Sequence, residues 1–277
     1  MNNKEISNEE NGNNLNYDID LNNLQSKWSI ASEFEKKLSE FIANDCLVIN
    51  NLSVFRKKRN KHQTLFDVSF ELHPNSFHVF IGENGAGKST TIKTIIGQIE
   101  NFKGEIYFSS SRKMERQKLF YVPDQQPKFP NISITKYLLI LTKLLTNKSE
   151  SRILLEIDEL LHKYSLENVK NNNVNKLSTG QKQKILIISA FLVNAPYIIL
   201  DEPFANLDQT SRYMFMNQLK ELSNSGTCIF LSTHIIDEIK DYITHATFLK
   251  RGKVLYSDRV GDPDSIKQFY LSNYINN

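Results

Sequence analysis

Apolar and polar positions divide the chain at about residue 45. Before that point asparagine dominates up to Asn23 and few side chains are available for burial, a composition that predicts disorder. Within this stretch Trp28, Ala31, Phe34, Leu38, Phe41 and Ile42 recur at helical spacing. They predict an amphipathic helix over 28–42 that docks on its own domain or on a partner. Residues 1–44 thus read as an extension and 45–277 as the folded domain. From Cys46 strand patterns take over, at 46–55, 64–72 and 77–81, followed by apolar residues at helical spacing over 91–96. A turn centred on Gly104 leads to a short strand at 105–108 and another ending at 121–123. Helical patterns cover 134–145 and 149–164, and no strand pattern occurs between residues 130 and 194. Strands return at 197–201, 227–232, 246–250 and 253–256, with a helix over about 210–224 between the first two. A block of helices inserted into alternating α/β elements predicts a separate lobe, at about 129–176.

Bulk composition changes this picture little. The 277 residues carry a net charge of +3 and 40% hydrophobic side chains, enough for a large core and no pointer to nucleic acid. Cys46 and Cys228 lie far apart and in no metal spacing, which predicts reduced core residues in a cytosolic protein. The polar, acidic first twenty residues do not read as a secretory signal, and the longest apolar stretch, 185–200, is interrupted by Asn194 and Pro196 and cannot span a bilayer. The basic run at 56–61 reads as a solvated hairpin tip or as a contact for phosphate or anionic lipid.

Candidate chemistry begins at Gly82. Gly82, Glu83, Asn84, Gly85, Ala86, Gly87, Lys88, Ser89 and Thr90 follow a phosphate-loop spacing between a predicted strand and a predicted helix. Glycines let the backbone N–H groups turn inward around a phosphate, and the helix start adds partial positive charge. Lys88 would reach the β- and γ-phosphates of a nucleoside triphosphate, and Ser89 would ligate Mg²⁺. The strand at 197–201 ends in Asp201 and Glu202. Asp201 fits a carboxylate that holds Mg²⁺ through water, and Glu202, one residue on and across the pleat, fits a base for the attacking water. Alone, the same run is an ordinary strand end meeting a turn at Pro203. Leu177-Ser178-Thr179-Gly180-Gln181 precedes an apolar helix over 185–193. Ser178 reads as a plain helix cap, or as a second anion site serving a nucleotide held by another copy, which would make a head-to-tail dimer. His234 follows a strand on the same sheet edge and reads as a γ-phosphate contact or as a structural histidine, whereas His62, His73, His78, His162 and His245 have no such placement.

In this order, 82–90, 177–181, 197–202 and His234 resemble the nucleotide-binding domain of ATP-binding cassette (ABC) transporters over about 46–256. The resemblance implies an α/β fold: a P-loop NTPase core with a small antiparallel β subdomain and an inserted helical subdomain. It implies ATP and Mg²⁺ as ligands, with Ser89, Asp201 and Asp124 at the metal and Lys88, Glu202 and His234 in catalysis. Ser178, Gly180 and Gln181 match the signature loop, with Thr179 where glycine is commonest. Asp208 matches the D-loop, where Ala205 and Asn206 depart from the usual pair. Phe55 falls where an aromatic stacks on adenine. The clearest departure is Asp124 after Tyr121-Val122-Pro123, where glutamine is usual; Asp124 meets the metal as a carboxylate, or Gln125 substitutes after a shift of one. This acid, with Leu-Ser-Thr-Gly, looks most like cassettes of ABC-2-type exporters. The implied partners are a transmembrane permease and a second cassette, and the implied location is the cytoplasmic face of the membrane. The alternatives are a soluble ABC ATPase working on nucleic acid or in translation, and a nucleotide sensor without turnover.

Overall fold

The computed structural model describes residues 45–56, 62–234 and 239–275. The extension at 1–44 with its expected helix, and residues 57–61 of the basic run, lie outside the described residues. Strand β1 (Leu47–Arg56) pairs antiparallel with β2 (His62–Leu72) on one side and with β4 (Phe102–Phe108) on the other. The larger sheet is built from β3 (Phe77–Ile81), β5 (Leu119–Val122), β6 (Tyr197–Asp201), β7 (Cys228–Thr233), β8 (His245–Lys250) and β9 (Lys253–Arg259), in the order β5-β6-β7-β3-β8-β9. Its strands run parallel except β9. Helix α1 (Lys88–Ile95) follows β3 directly, and α2 (Ile134–Leu145) and α3 (Glu150–Lys163) form the inserted lobe between β5 and β6. Helix α4 (Thr179–Val193) leads into β6, and α5 (Gln209–Asn224) joins β6 to β7.

The central strands are buried on both faces, so the core is double. Phe77, Val79 and Ile81 of β3, with Ile198 and Leu200 of β6, pack on one side against α4, α5 and the inserted lobe. Phe80 and, from β6, Tyr197 and Ile199 pack on the other side against Leu47, Ile49, Leu65 and Phe70 of the small sheet. Successive residues of a strand face opposite ways, so two apolar faces make the near-continuous apolar runs of these strands. Phe70, Phe80 and Phe230 hold the second core with ring centroids 5.3–5.7 Å apart. In the first core Tyr164 and Phe215 stack at 4.1 Å, with Phe191 beside them. Helix α4 is buried from Ile185 to Leu192, the mark of a helix apolar on every side.

Several expectations need correction. Strand β4 begins at Phe102 rather than 105, and α4 begins six residues before its apolar run because Ser178 caps it. Helix α6 (Pro263–Tyr270) was not expected, although Asp262 and Pro263 supply an N-cap side chain and a proline at the first turn. Cys228 is a buried core residue, but Cys46 is only half-buried, and neither is in a disulfide. Among the described residues no helix is long and apolar enough to cross a membrane.

Phe215 lies fully buried against Tyr164, so Phe215→Ala should destabilise the fold by about 3–5 kcal/mol. A urea midpoint shift of that size in equilibrium denaturation is the expected result.

Candidate functional site

The phosphate loop leaves β3 at Ile81 and runs close to its neighbours. A Cβ on Gly82 would sit 2.4 Å from the Leu249 carbonyl oxygen, and one on Gly87 would sit 2.6 Å from Leu65 Cδ2. Gly87 also has φ +115, so both space and backbone demand glycine there. The Gly252 N–H donates to the Ala86 carbonyl at 2.8 Å, tying the loop to the turn between β8 and β9. No side chain caps α1, which leaves its start to an anion. Lys88 is 6% exposed; its Nζ donates to the Gly82 carbonyl at 2.6 Å and lies 3.4 Å from Glu202 Oε1.

The two acids at the end of β6 are held by one serine. Ser232 Oγ donates to Asp201 Oδ1 at 2.6 Å and accepts the Glu202 N–H at 3.0 Å. Glu202 has φ 47, so its side chain is turned by a left-handed residue and not by the alternation of the pleat, which corrects the expected geometry. Its Oε2 lies 3.1 Å from His234 Nδ1, and its buried Oε1 has no hydrogen-bond partner. Lys88, Glu202 and His234 therefore meet at one point. Asp201 is buried and Asp124 exposed. Burial pushes the nearby Tyr121 phenol upward, and the Asp201 and Asp124 carboxylates add to the shift.

A cleft of about 870 Å³ gathers Glu83, Asn84, Gly85, Gly87, Lys88, Ser89, Thr90, Asp124, Glu202 and His234. Gly82 and Ala86 belong to the buried part of the loop. Ser89 and Asp124 also line an adjoining recess with Asp201, an all-oxygen donor set of the kind a hard divalent cation takes. Phe55 lines a further recess that shares Thr64, Ser89 and Thr90 with the main cleft. Sequence reasoning missed Gln63, Thr64, Phe66 and Arg251, which line the cleft from β2 and the β8–β9 turn, and it missed Ser232. Only the run Leu231-Ser232-Thr233-His234 offered a signal for the last.

Ser178, Gly180, Gln181 and Asp208 gather elsewhere. Ser178 and Gln181 form a reciprocal capping box, with the Gln181 N–H donating to Ser178 Oγ at 3.2 Å and the Ser178 N–H to Gln181 Oε1 at 3.0 Å. A Cβ on Gly180 would lie 2.9 Å from the Asn206 carbonyl, so this loop sits against the one carrying Asp208. Asp208 caps α5, and hydrogen bonds from Ser211 hold its carboxyl below the usual range. Gln126 Nε2 donates to the Thr179 carbonyl at 2.7 Å and joins the loop after β5 to this cap. None of these four lines the nucleotide cleft of its own chain.

This fold and loop order have known counterparts. Residues 65–205, just over half of the chain, match the family model described as ABC transporter. A putative ABC transporter ATP-binding protein of Mycoplasma pneumoniae is 35% identical over 203 residues, covering 72% of this chain and 62% of that protein. The chain thus spans less than two thirds of that relative. A solved structure of an ATP binding subunit of an ABC transporter superposes with a TM-score of 0.71 at 29% identity, covering 83% of this chain and 95% of that one. A dimeric structure of the cassette MJ0796 in a post-hydrolysis state, bound to ADP and Pi, shares the fold with a TM-score of 0.69 at 23% identity, over 77% of this chain and 98% of that one. The chain belongs to the ABC transporter family, as an ATP-binding subunit of the class whose members hydrolyse ATP to drive transport.

Gly87→Ala would force an L residue to φ +115 with its methyl against Leu65. We expect at least a tenfold (~1.4 kcal/mol) loss of nucleotide affinity by fluorescent-nucleotide titration, with the far-UV circular dichroism spectrum retained.

Proposed function

We propose that this chain hydrolyses ATP in the cleft between the phosphate loop and the end of β6, as one half of a cassette dimer that drives a separate transmembrane partner. The observation that carries this reading is the meeting of Lys88, Glu202 and His234 beside a loop whose glycines let its backbone pack close against Leu249 and Leu65. The β- and γ-phosphates would take over Lys88 from the Gly82 carbonyl and from Glu202, cradled by the backbone of residues 82–90. A water between Glu202 and the γ-phosphorus gives its proton to the Glu202 carboxylate as its oxygen bonds to phosphorus. The bond to the β–γ bridging oxygen breaks, leaving ADP and inorganic phosphate. His234 holds Glu202 through Nδ1 and offers its other ring nitrogen to the γ-phosphate. Ser89, Asp201 and Asp124 would hold Mg²⁺, which neutralises charge on the phosphate oxygens. Phe55 provides a ring face for the base.

Ser178, Gly180, Gln181 and Asp208 enter the reaction from the second copy, each nucleotide lying between the phosphate loop of one protomer and the capped helix of the other. The dimeric MJ0796 structure with ADP and Pi supports the pairing of two copies. Residues 45–277 form the nucleotide-binding domain, and its helical subdomain at about 129–176 offers the surface for the membrane partner. Ile140, Leu144, Leu145 and Leu155 stand exposed on α2 and α3, near in sequence to the Asp124 loop. The chain would work as a peripheral protein on the cytoplasmic side, where ATP is available.

Glu202→Gln should keep ATP binding, lower phosphate release by about 10²–10⁴-fold, and accumulate an ATP-bound dimer on size-exclusion chromatography. Normal turnover in that variant would remove Glu202 from the role of base. Ser178→Arg should bind ATP as before and remain monomeric with ATP present; an ATP-dependent dimer in light scattering would rule out the shared site.

A further inference from the structure

The register of the small sheet brings together three residues at the end of the molecule away from the nucleotide. Leu47 pairs with Leu72 and Val48 with Glu71. Directly paired residues share a face, as do alternate residues of one strand. Cys46, Glu71 and His73 therefore stand on the face opposite to buried Leu47 and Leu72. Cys46 Sγ lies 2.9 Å from His73 Nδ1, and His73 Nε2 lies 3.7 Å from Glu71 Oε2. One ligand atom from each of the three lies within 4.8 Å of the other two. Glu71 and His73 also border a cleft of about 250 Å³ with His78, His245 and Asp258. The His245 ring lies 5.2 Å from that of His73 and stacks at 5.9 Å on that of His78. His78 is fully buried; its Nε2 meets Thr247 Oγ1 at 2.8 Å, and its Nδ1 has no hydrogen-bond partner.

We infer that Cys46, Glu71 and His73 bind a divalent cation of the Zn²⁺ class, at the seam between the two sheets and remote from the ATP cleft. Sulfur, imidazole and carboxylate together are the donor set of tetrahedral zinc, and a hard cation such as Mg²⁺ has no use for the thiolate. Three protein ligands would leave one position for water. The role is structural. Cys46, Glu71 and His73 bracket the start of β1 and the end of β2, so the ion would fasten these two strand ends of the small sheet to each other. The phosphate loop follows the opposite end of β3.

The test uses the full-length chain, stripped of metal and free of nucleotide, titrated with Co²⁺ and then with Zn²⁺ as competitor. One equivalent of Co²⁺ should give a thiolate-to-cobalt charge-transfer band that Zn²⁺ abolishes. Cys46→Ser should lose the band, His73→Ala should weaken binding by more than about tenfold, and ATP binding should be unchanged in both. On the unsubstituted protein Zn²⁺ should slow alkylation of Cys46 by iodoacetamide, a readout that needs no variant to fold. Absence of the band in the unsubstituted protein, an unaltered band in Cys46→Ser, or alkylation indifferent to Zn²⁺ would each overturn the inference.

Discussion

The phosphate end of the molecule depends on a gap too narrow for a side chain. The backbone at Gly82 passes the Leu249 carbonyl of β8, and that at Gly87 passes the Leu65 side chain of β2. Both close approaches are possible because β3 is fixed from two sides, by the helical core on one face and the small sheet on the other. Close-packed interiors give little, so the loop cannot drift. The shape of the cradle is thus set by protein packing, and the small sheet is as much a part of it as the sheet that carries it.

The acidic side of the cleft is organised by hydrogen bonding. Ser232 donates a hydrogen bond to Asp201 and accepts one from the Glu202 N–H, so a single hydroxyl sets both residues. The left-handed turn at Glu202 costs of order 1 kcal/mol, offset by the bonds its N–H makes to Ser232. That turn aims the carboxylate at Lys88 and His234 instead of along the pleat.

Much of this was legible from residues alone, and the reasons differ by element. Strands at 197–201 and 77–81 and the helices of the inserted lobe announce themselves by apolar runs and periodicity, because burial is what their positions require. The phosphate loop is legible because its chemistry needs glycines at fixed places. Helix α4 was read short, since capping residues such as Ser178 are polar and fall outside an apolar count. The turn of Glu202 was misread because pleat alternation says nothing about a residue one step past the strand. Ser232 offered only the run 231–234 as a signal, since its place comes from pairing with β6 far away in sequence, and Phe66 and Arg251 reach the cleft from elements whose approach to it no local pattern records. The meeting of Cys46 with His73, 27 residues away, has the same origin.

The contact between Lys88 and Glu202 bears on timing. Lys88 Nζ and Glu202 Oε1 stand 3.4 Å apart, cation beside anion. An arriving triphosphate competes for the lysine with far more negative charge than one carboxylate offers. On the proposed reading, the event that delivers the triphosphate would also draw Lys88 away from Glu202, which stays within reach of His234. Under the function proposed above, filling of the cleft and release of the acid from the lysine would be one step.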